Sequence, residues 1–144
     1  MKTVTPHAAF QKTILVRFRD CDPAGIVFYP RYLEMFNNLI EDWFSGGLGL
    51  PFSELITNRG RGIPTVHLEV DFAAPARMGD LLTGFLWVRR VGQSSIHLEI
   101  VLIGPDDVER VRGKLILVLT DLRAHRSMEI PEDLRARLLP YTCE

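Results

Sequence analysis

The stretch at residues 30–47, PRYLEMFNNLIEDWFSGG, decides how this chain must fold. Tyr32, Phe36, Leu39, Ile40 and Trp43 recur at three- and four-residue steps, joined by Leu33, Met35 and Phe44. That spacing predicts a helix over 30–44. Glu34, Asn37, Asn38, Glu41 and Asp42 fill the remaining stripe. So wide an apolar sector predicts a helix buried over most of its circumference, stopped by Ser45-Gly46-Gly47.

What covers that helix is read outward from it. Upstream, TILVRF (13–18) is a β-branched run that predicts a first strand, and residues 1–12 read as a loose arm. Downstream, 51–57 predicts one short helical turn and NRGRG (58–62) a loop. In VHLEVDF (66–72), Val66, Leu68, Val70 and Phe72 alternate with His67, Glu69 and Asp71, the period of a strand. A turn at 74–79 leads to a strand over 81–91, and Gly92-Gln93-Ser94 predicts a hairpin into 96–103. Gly104-Pro105-Asp106-Asp107 makes another hairpin into 111–120. The unbroken LILVL (115–119) within that strand predicts cover on both faces. Residues 131–139 predict a short closing helix. The fold class is therefore α+β, with one antiparallel sheet of about five strands curled around one long helix. Such a sheet keeps free edges, so self-association is expected.

At 144 residues the chain suits a single domain, 1–144, with 47% hydrophobic and 24% charged residues. Lys+Arg 17 against Asp+Glu 18 gives a net charge of −1, which excludes a general nucleic-acid binder. Cys21 and Cys143 are the only cysteines, with no metal-ligand spacing, so neither a disulfide framework nor a metal site is expected. With no signal-like or membrane-spanning apolar run, a soluble cytoplasmic protein without membrane partners is expected.

Just before the helix lies DCDPAGIVFYP (20–30). Pro30 suits the first helical position, where a missing N–H is harmless. Phe28 and Tyr29 offer no capping oxygen, so the helix amides are left for a carbonyl oxygen or an anion. Asp20 and Asp22 stand one short turn upstream. A carboxylate beside electrophile-activating amides has the parts for acyl transfer. Local pattern alone favours two aspartates that bond amides of the Asp-Pro-Ala-Gly turn.

DCDPAGIVFYP closely resembles the active-site loop of hotdog-fold acyl-CoA thioesterases of the 4-hydroxybenzoyl-CoA thioesterase type. FAAPARMGD (72–80) is similar to a turn of the same family, and the likeness in strand order and spacing runs over about 13–122. The resemblance implies a hotdog fold and hydrolysis of a small or aromatic acyl-CoA. Asp22 would be the catalytic carboxylate, as nucleophile or general base, and the Tyr29 backbone N–H would polarise the thioester carbonyl. It implies no cofactor, coenzyme A being part of the substrate, and a homodimer or homotetramer with sites between subunits.

Another branch of the fold carries its carboxylate on the helix, which makes Glu34 the second candidate. Arg89 and Arg90 match basic residues that hold coenzyme A phosphates in similar members, although Val91 stands where a lysine follows there. The planar fork of arginine suits phosphate oxygens. Arg123 and Arg126 are further candidates for that end, and Gly60, Gly62 and Pro64 for the acyl pocket. His67 and His97 lie on polar strand faces beside Glu69 and Glu99, where surface or subunit-contact roles are expected. Two rivals remain. A non-catalytic acyl-CoA or acyl-carrier binding module could use the same fold. An enoyl-thioester hydratase or dehydratase resembles an Asp/His pair, and no histidine lies between His7 and His67.

Overall fold

In the computed structural model, which describes residues 5–143, one five-stranded antiparallel sheet wraps around the helix. The strands are β1 (Phe10–Leu15), β3 (Thr65–Phe72), β4 (Leu81–Val91), β5 (Ser95–Ile103) and β6 (Glu109–Val118), in the order β1-β4-β5-β6-β3. Two-residue strands β2 (Arg61–Gly62), β7 (Thr120–Asp121) and β8 (Arg126–Ser127) form a small second sheet. The helices are α1 (Pro30–Asp42) and α2 (Glu132–Leu138). Among the described residues, no helix is long and apolar enough to cross a membrane.

α1 places Tyr32, Met35, Phe36, Leu39 and Ile40 in the core, followed by Trp43 and Phe44 from the next turn. That turn, Trp43–Gly47, widens to π geometry and ends where Leu48 N–H donates to Trp43 O at 2.8 Å. The inner sheet face supplies Leu82, Leu86, Val88, Ile96, Leu98, Ile100, Leu102, Val111, Leu115 and Leu117. Burial on this scale is what holds the fold, at about 25 cal/mol per Å² of apolar surface. Two glycines set how closely the helix sits. A Cβ at Gly113 would lie 2.6 Å from Phe36 Cε2, and one at Gly84 would lie 3.1 Å from Leu39 Cδ2. Gly113→Val should therefore destabilise the protein by about 2 kcal/mol through overpacking. A lowered urea midpoint at unchanged slope would register that loss, and an unshifted midpoint would show that Phe36 yields freely.

Several expectations need correction. The first strand is Phe10–Leu15, not 13–18, so the arm is shorter than 1–12; residues 1–4 of it lie outside the described residues. β1 is an edge strand whose Gln11, Lys12 and Thr13 are exposed, so apolar content could not mark its start. Phe18 falls instead in a tight 3-10 turn. The loop expected at 58–62 contains β2, paired to β7. The turn expected at 74–79 does not pair β3 with β4: β3 pairs β6 at the far edge, so 73–80 crosses the end of the sheet. Of LILVL, the inward Leu115, Leu117 and Leu119 are buried, while Ile116 and Val118 are half-covered on the outer face. α1 is buried over most of its circumference, as expected, and Glu34, Asn37, Asn38 and Glu41 form its exposed stripe.

Candidate active site

The crossover 73–80 positions the loop ahead of α1. Val16 N–H donates to Asp80 O at 2.8 Å and Gly79 N–H to Val16 O at 2.9 Å, anchoring the crossover beside the end of β1. The loop itself is a narrow hairpin. Phe28 N–H donates to Asp20 O and Asp22 N–H to Ile26 O, each at 2.9 Å. Gly25, at φ +78°, makes the reversal that a side chain would strain. From the other side Val27 N–H reaches Ala76 O at 2.9 Å, and Met78 N–H reaches Gly25 O at 3.0 Å. Backbone bonds thus hold the loop along both of its edges.

The two aspartates do different work within it. Asp20 is buried, and its Oδ2 accepts the Arg17 N–H at 2.8 Å, which fixes the loop's first turn. Asp22 is half-exposed; its Oδ1 accepts the Ala24 N–H at 2.9 Å, and Oδ2 has no partner among the described residues. The local turn bonding is therefore present for both, and only Asp22 retains an open, partly exposed oxygen. Helical geometry begins at Tyr29, with φ −52° and ψ −35° and no side-chain cap. Phe28 N–H is spent on Asp20, Arg31 N–H on Phe28 O and Tyr32 N–H on Tyr29 O. The Tyr29 N–H makes no hydrogen bond among the described residues. A free amide at the positive end of a helix favours an oxygen bearing negative charge.

Aromatic rings surround that amide. Tyr29 packs edge-on against Phe28 with ring centres 5.6 Å apart and against Phe72 at 6.2 Å, while buried Tyr32 lies under Phe72 at 5.9 Å. Phe28, Tyr29 and Phe72 are 50%, 61% and 53% exposed, an apolar surface beside the helix start. Phe72 was legible in the sequence only as a strand residue; the Phe-Ala-Ala-Pro step that ends β3 was the signal that it sits at the site. Burial pushes the Tyr32 hydroxyl above its ordinary value, against the opposing pull of the Ala76 backbone and Arg110.

Glu34, the second carboxylate candidate, lies one turn along α1. Both its oxygens accept Arg31 Nη1 at 2.9 Å, and Arg19 Nη2 stands 3.7 Å away. It is the more neutralised of the two candidates. Burial, then the carboxylates of Asp20, Asp22 and Asp80, push the Cys21 thiol upward, away from thiolate chemistry. No cluster of three metal-ligating side chains occurs among the described residues.

The remaining candidates stand elsewhere. Arg89 and Arg90 lie near the end of β4 remote from the loop, eight and nine residues past Leu81, or roughly 26–30 Å at 3.3 Å per residue. They line a groove of ≈ 420 Å³ on the outer sheet face with His67, Glu69, His97 and Lys114. Burial and the neighbouring Arg90 hold the His97 ring below its ordinary value. Arg89 Nη1 is bonded to Glu99 Oε1 at 2.5 Å, whereas Arg90 has no ion-pair partner among the described residues. Gly62 pairs with Thr120 in the small sheet, where a Cβ would lie 2.9 Å from Leu122. Pro64 O accepts the Val118 N–H at 3.1 Å. Both precede β3, at the end opposite Phe72. Gly60 accepts the Leu122 N–H at 3.0 Å, and Arg126 is in β8; Arg123 follows β7 in the adjoining turn. Thus Asp22, Tyr29 and Phe72 come together at one end of the sheet, and the arginines and glycines gather at the other.

Comparison with known proteins identifies the family and the fold. The profile of the Thioesterase-like superfamily matches residues 16–138. A 1,4-dihydroxy-2-naphthoyl-CoA hydrolase of Prochlorococcus marinus (strain MIT 9515) is 24% identical over 135 residues, covering 91% of this chain and 89% of the relative. A solved thioesterase-superfamily structure from Jannaschia sp. CCS1 superposes with a TM-score of 0.90 at 27% identity, covering 100% of both chains. A gentisyl-coenzyme A thioesterase superposes with a TM-score of 0.80 at 28% identity, covering 90% of this chain and 99% of the other.

Proposed function

The chain belongs to the Thioesterase-like superfamily, with its hotdog fold, and we propose that it is an acyl-CoA thioesterase. The observation that carries this reading is the unpaired Tyr29 N–H at the start of α1, preceded by the laced loop that keeps one Asp22 oxygen open. The thioester carbonyl oxygen would accept the Tyr29 N–H, and the helix dipole would favour the charge that develops there. Asp22 would then add to the carbonyl carbon and expel the CoA thiolate, leaving a mixed anhydride that water cleaves. Alternatively, it would take a proton from the water that adds. Either route consumes one water and yields the free acid and CoA. No metal or redox cofactor enters it.

The acyl group we propose is small or aromatic. Phe28, Tyr29 and Phe72 offer ring edges and faces beside the amide, which suits a flat acyl group. The relatives named above act on 1,4-dihydroxy-2-naphthoyl-CoA and gentisyl-CoA, both aromatic. A thiol-release assay across acyl-CoAs tests the activity. For a proper substrate, kcat/KM should reach about 10⁴ M⁻¹s⁻¹ or more. CoA binding with no release from any acyl-CoA would leave a binding module instead.

We further propose that the working form is a homodimer or homotetramer, in the cytoplasm. β3 has a free edge, Val66 and Leu68 on it are exposed, and an apolar cleft opens beside it between Leu33, Phe36, Ile40, Leu68 and Leu115. Antiparallel pairing of β3 with its counterpart in a second copy would bring the Phe72 end of one chain to the Thr65 end of the other. Gly62 and Pro64 of one subunit would then approach Asp22 and Tyr29 of the next, and Arg89 and Arg90 could meet the nucleotide end of the same ligand.

Arg89 and Arg90 would hold the phosphates at an exposed surface, where ground and transition states are bound alike. Arg89→Ala/Arg90→Ala should therefore raise KM for an acyl-CoA roughly tenfold and leave kcat nearly unchanged. The effect should shrink with added salt. A truncated acyl-thioester lacking the nucleotide should be hydrolysed as before. Equal losses on both substrates would assign these arginines to the fold or an interface.

A further inference from the structure

Glu99 is 4% exposed, yet it lies on the outer face of the sheet, opposite Trp87 on β4 and Lys114 on β6. A buried carboxylate is tolerated only where partners replace its water. Here Oε1 accepts Arg89 Nη1 at 2.5 Å and Oε2 accepts Arg112 Nη1. Arg112 is fixed in turn: Glu109 Oε1 accepts its Nη2 at 2.7 Å and its Nε at 3.2 Å, and its guanidinium lies 5.9 Å over the Trp87 ring. Glu99 is therefore a rigid anchor that holds only one edge of Arg89. The rest of that half-exposed guanidinium faces the groove it shares with Arg90, Lys114 and His97. A flexible arginine beside a hairpin would lose rotamer freedom on binding; one already clamped has lost it.

Resting on the reading of Arg89 as a phosphate ligand, we propose that Glu99 is the positioning residue that presents Arg89 to the phosphates of coenzyme A. Physics gives the alternative an opposite sign. If Glu99 were merely a nearby negative charge, neutralising it would make the groove more positive and tighten a polyanion. As an anchor, its neutralisation frees Arg89 and weakens binding.

The test is calorimetric titration of coenzyme A, and of pantetheine as the phosphate-free control, into the full chain. Glu99→Gln, which keeps the shape, should weaken coenzyme A about threefold, as Arg89→Ala does, and leave pantetheine unchanged. The double variant should be no worse than Arg89→Ala, because both act through one contact. Gly113→Val guards against a general loss of structure. It crowds Phe36 in the core and touches no member of the network, so it should lower the melting temperature while retaining the coenzyme A affinity. Unchanged or tighter binding by Glu99→Gln, or losses that add in the double variant, would overturn the role of Glu99. Undiminished binding by Arg89→Ala would instead overturn the phosphate reading of Arg89, and the proposal with it.

Discussion

Asp22→Asn is expected to slow acyl-CoA hydrolysis by at least about 100-fold, the scale on which catalytic acids and bases act. The amide neither attacks a carbonyl nor takes a proton from water. It does keep a carbonyl oxygen for the Ala24 N–H, which Asp22 Oδ1 accepts at 2.9 Å. The turn should survive, and with it the Asp22 N–H bond to Ile26 O and the bonds donated by Val27 and Met78 that lace the loop, so the melting temperature should hardly move. Asp20→Asn is a different experiment, because Asp20 is buried and supports the Arg17 amide. Glu34→Gln should cost little activity, since that side chain is exposed and already paired with Arg31 and Arg19. Steady-state kinetics on the three variants decides the matter. A nearly active Asp22→Asn beside an inactive Glu34→Gln would move the chemistry to the helix.

The second large effect concerns assembly. Wild-type protein should scatter light as a dimer or tetramer, and Val66→Lys/Leu68→Lys should be monomeric with activity reduced about 100-fold or more. The substitutions place two charges on the open edge of β3, beside the apolar cleft between that strand and α1. They touch no group of the loop. Activity should fall because within one chain the Asp22 loop stands near the Leu81 end of β4, whereas Arg89 lies near its other end. On the proposed shared site, the ligand's two ends would not both be held without the second copy, and the binding energy that positions the carbonyl would be lost. A stable monomer with wild-type turnover would contradict the shared site.

The helix, the strands over 81–91, 96–103 and 111–120 (the last to within two residues at each end), and the loop ahead of the helix were all legible in the sequence. Their signals are local: period, turn residues and a helix start without a cap. What was not legible depends on which strands are neighbours. Nothing between Phe72 and Leu81 says that the chain crosses the sheet end instead of turning back, yet that crossing brings Ala76 and Met78 to the Asp22 loop. β1 hid its first residues because an edge strand need not be apolar. Glu99 looked like an ordinary polar-face residue, and its burial arises from Arg89 and Arg112 on two other strands. Burial alone would raise the Glu99 carboxyl, but the Arg89 and Arg112 bonds prevail and hold it below the ordinary value. Its contribution to stability is therefore present above the unfolded carboxylate range and lost as pH falls through the folded value.

The most direct test of the site is a crystal structure with an inert acyl-CoA analogue in which a methylene replaces the thioester sulfur, leaving a ketone. The account predicts the ketone oxygen about 3 Å from the Tyr29 backbone nitrogen, with the Asp22 carboxylate facing the carbonyl carbon and the acyl group against Phe28, Tyr29 and Phe72. A ketone seated away from the start of α1, with Asp22 left facing only solvent and Ala24, would contradict it.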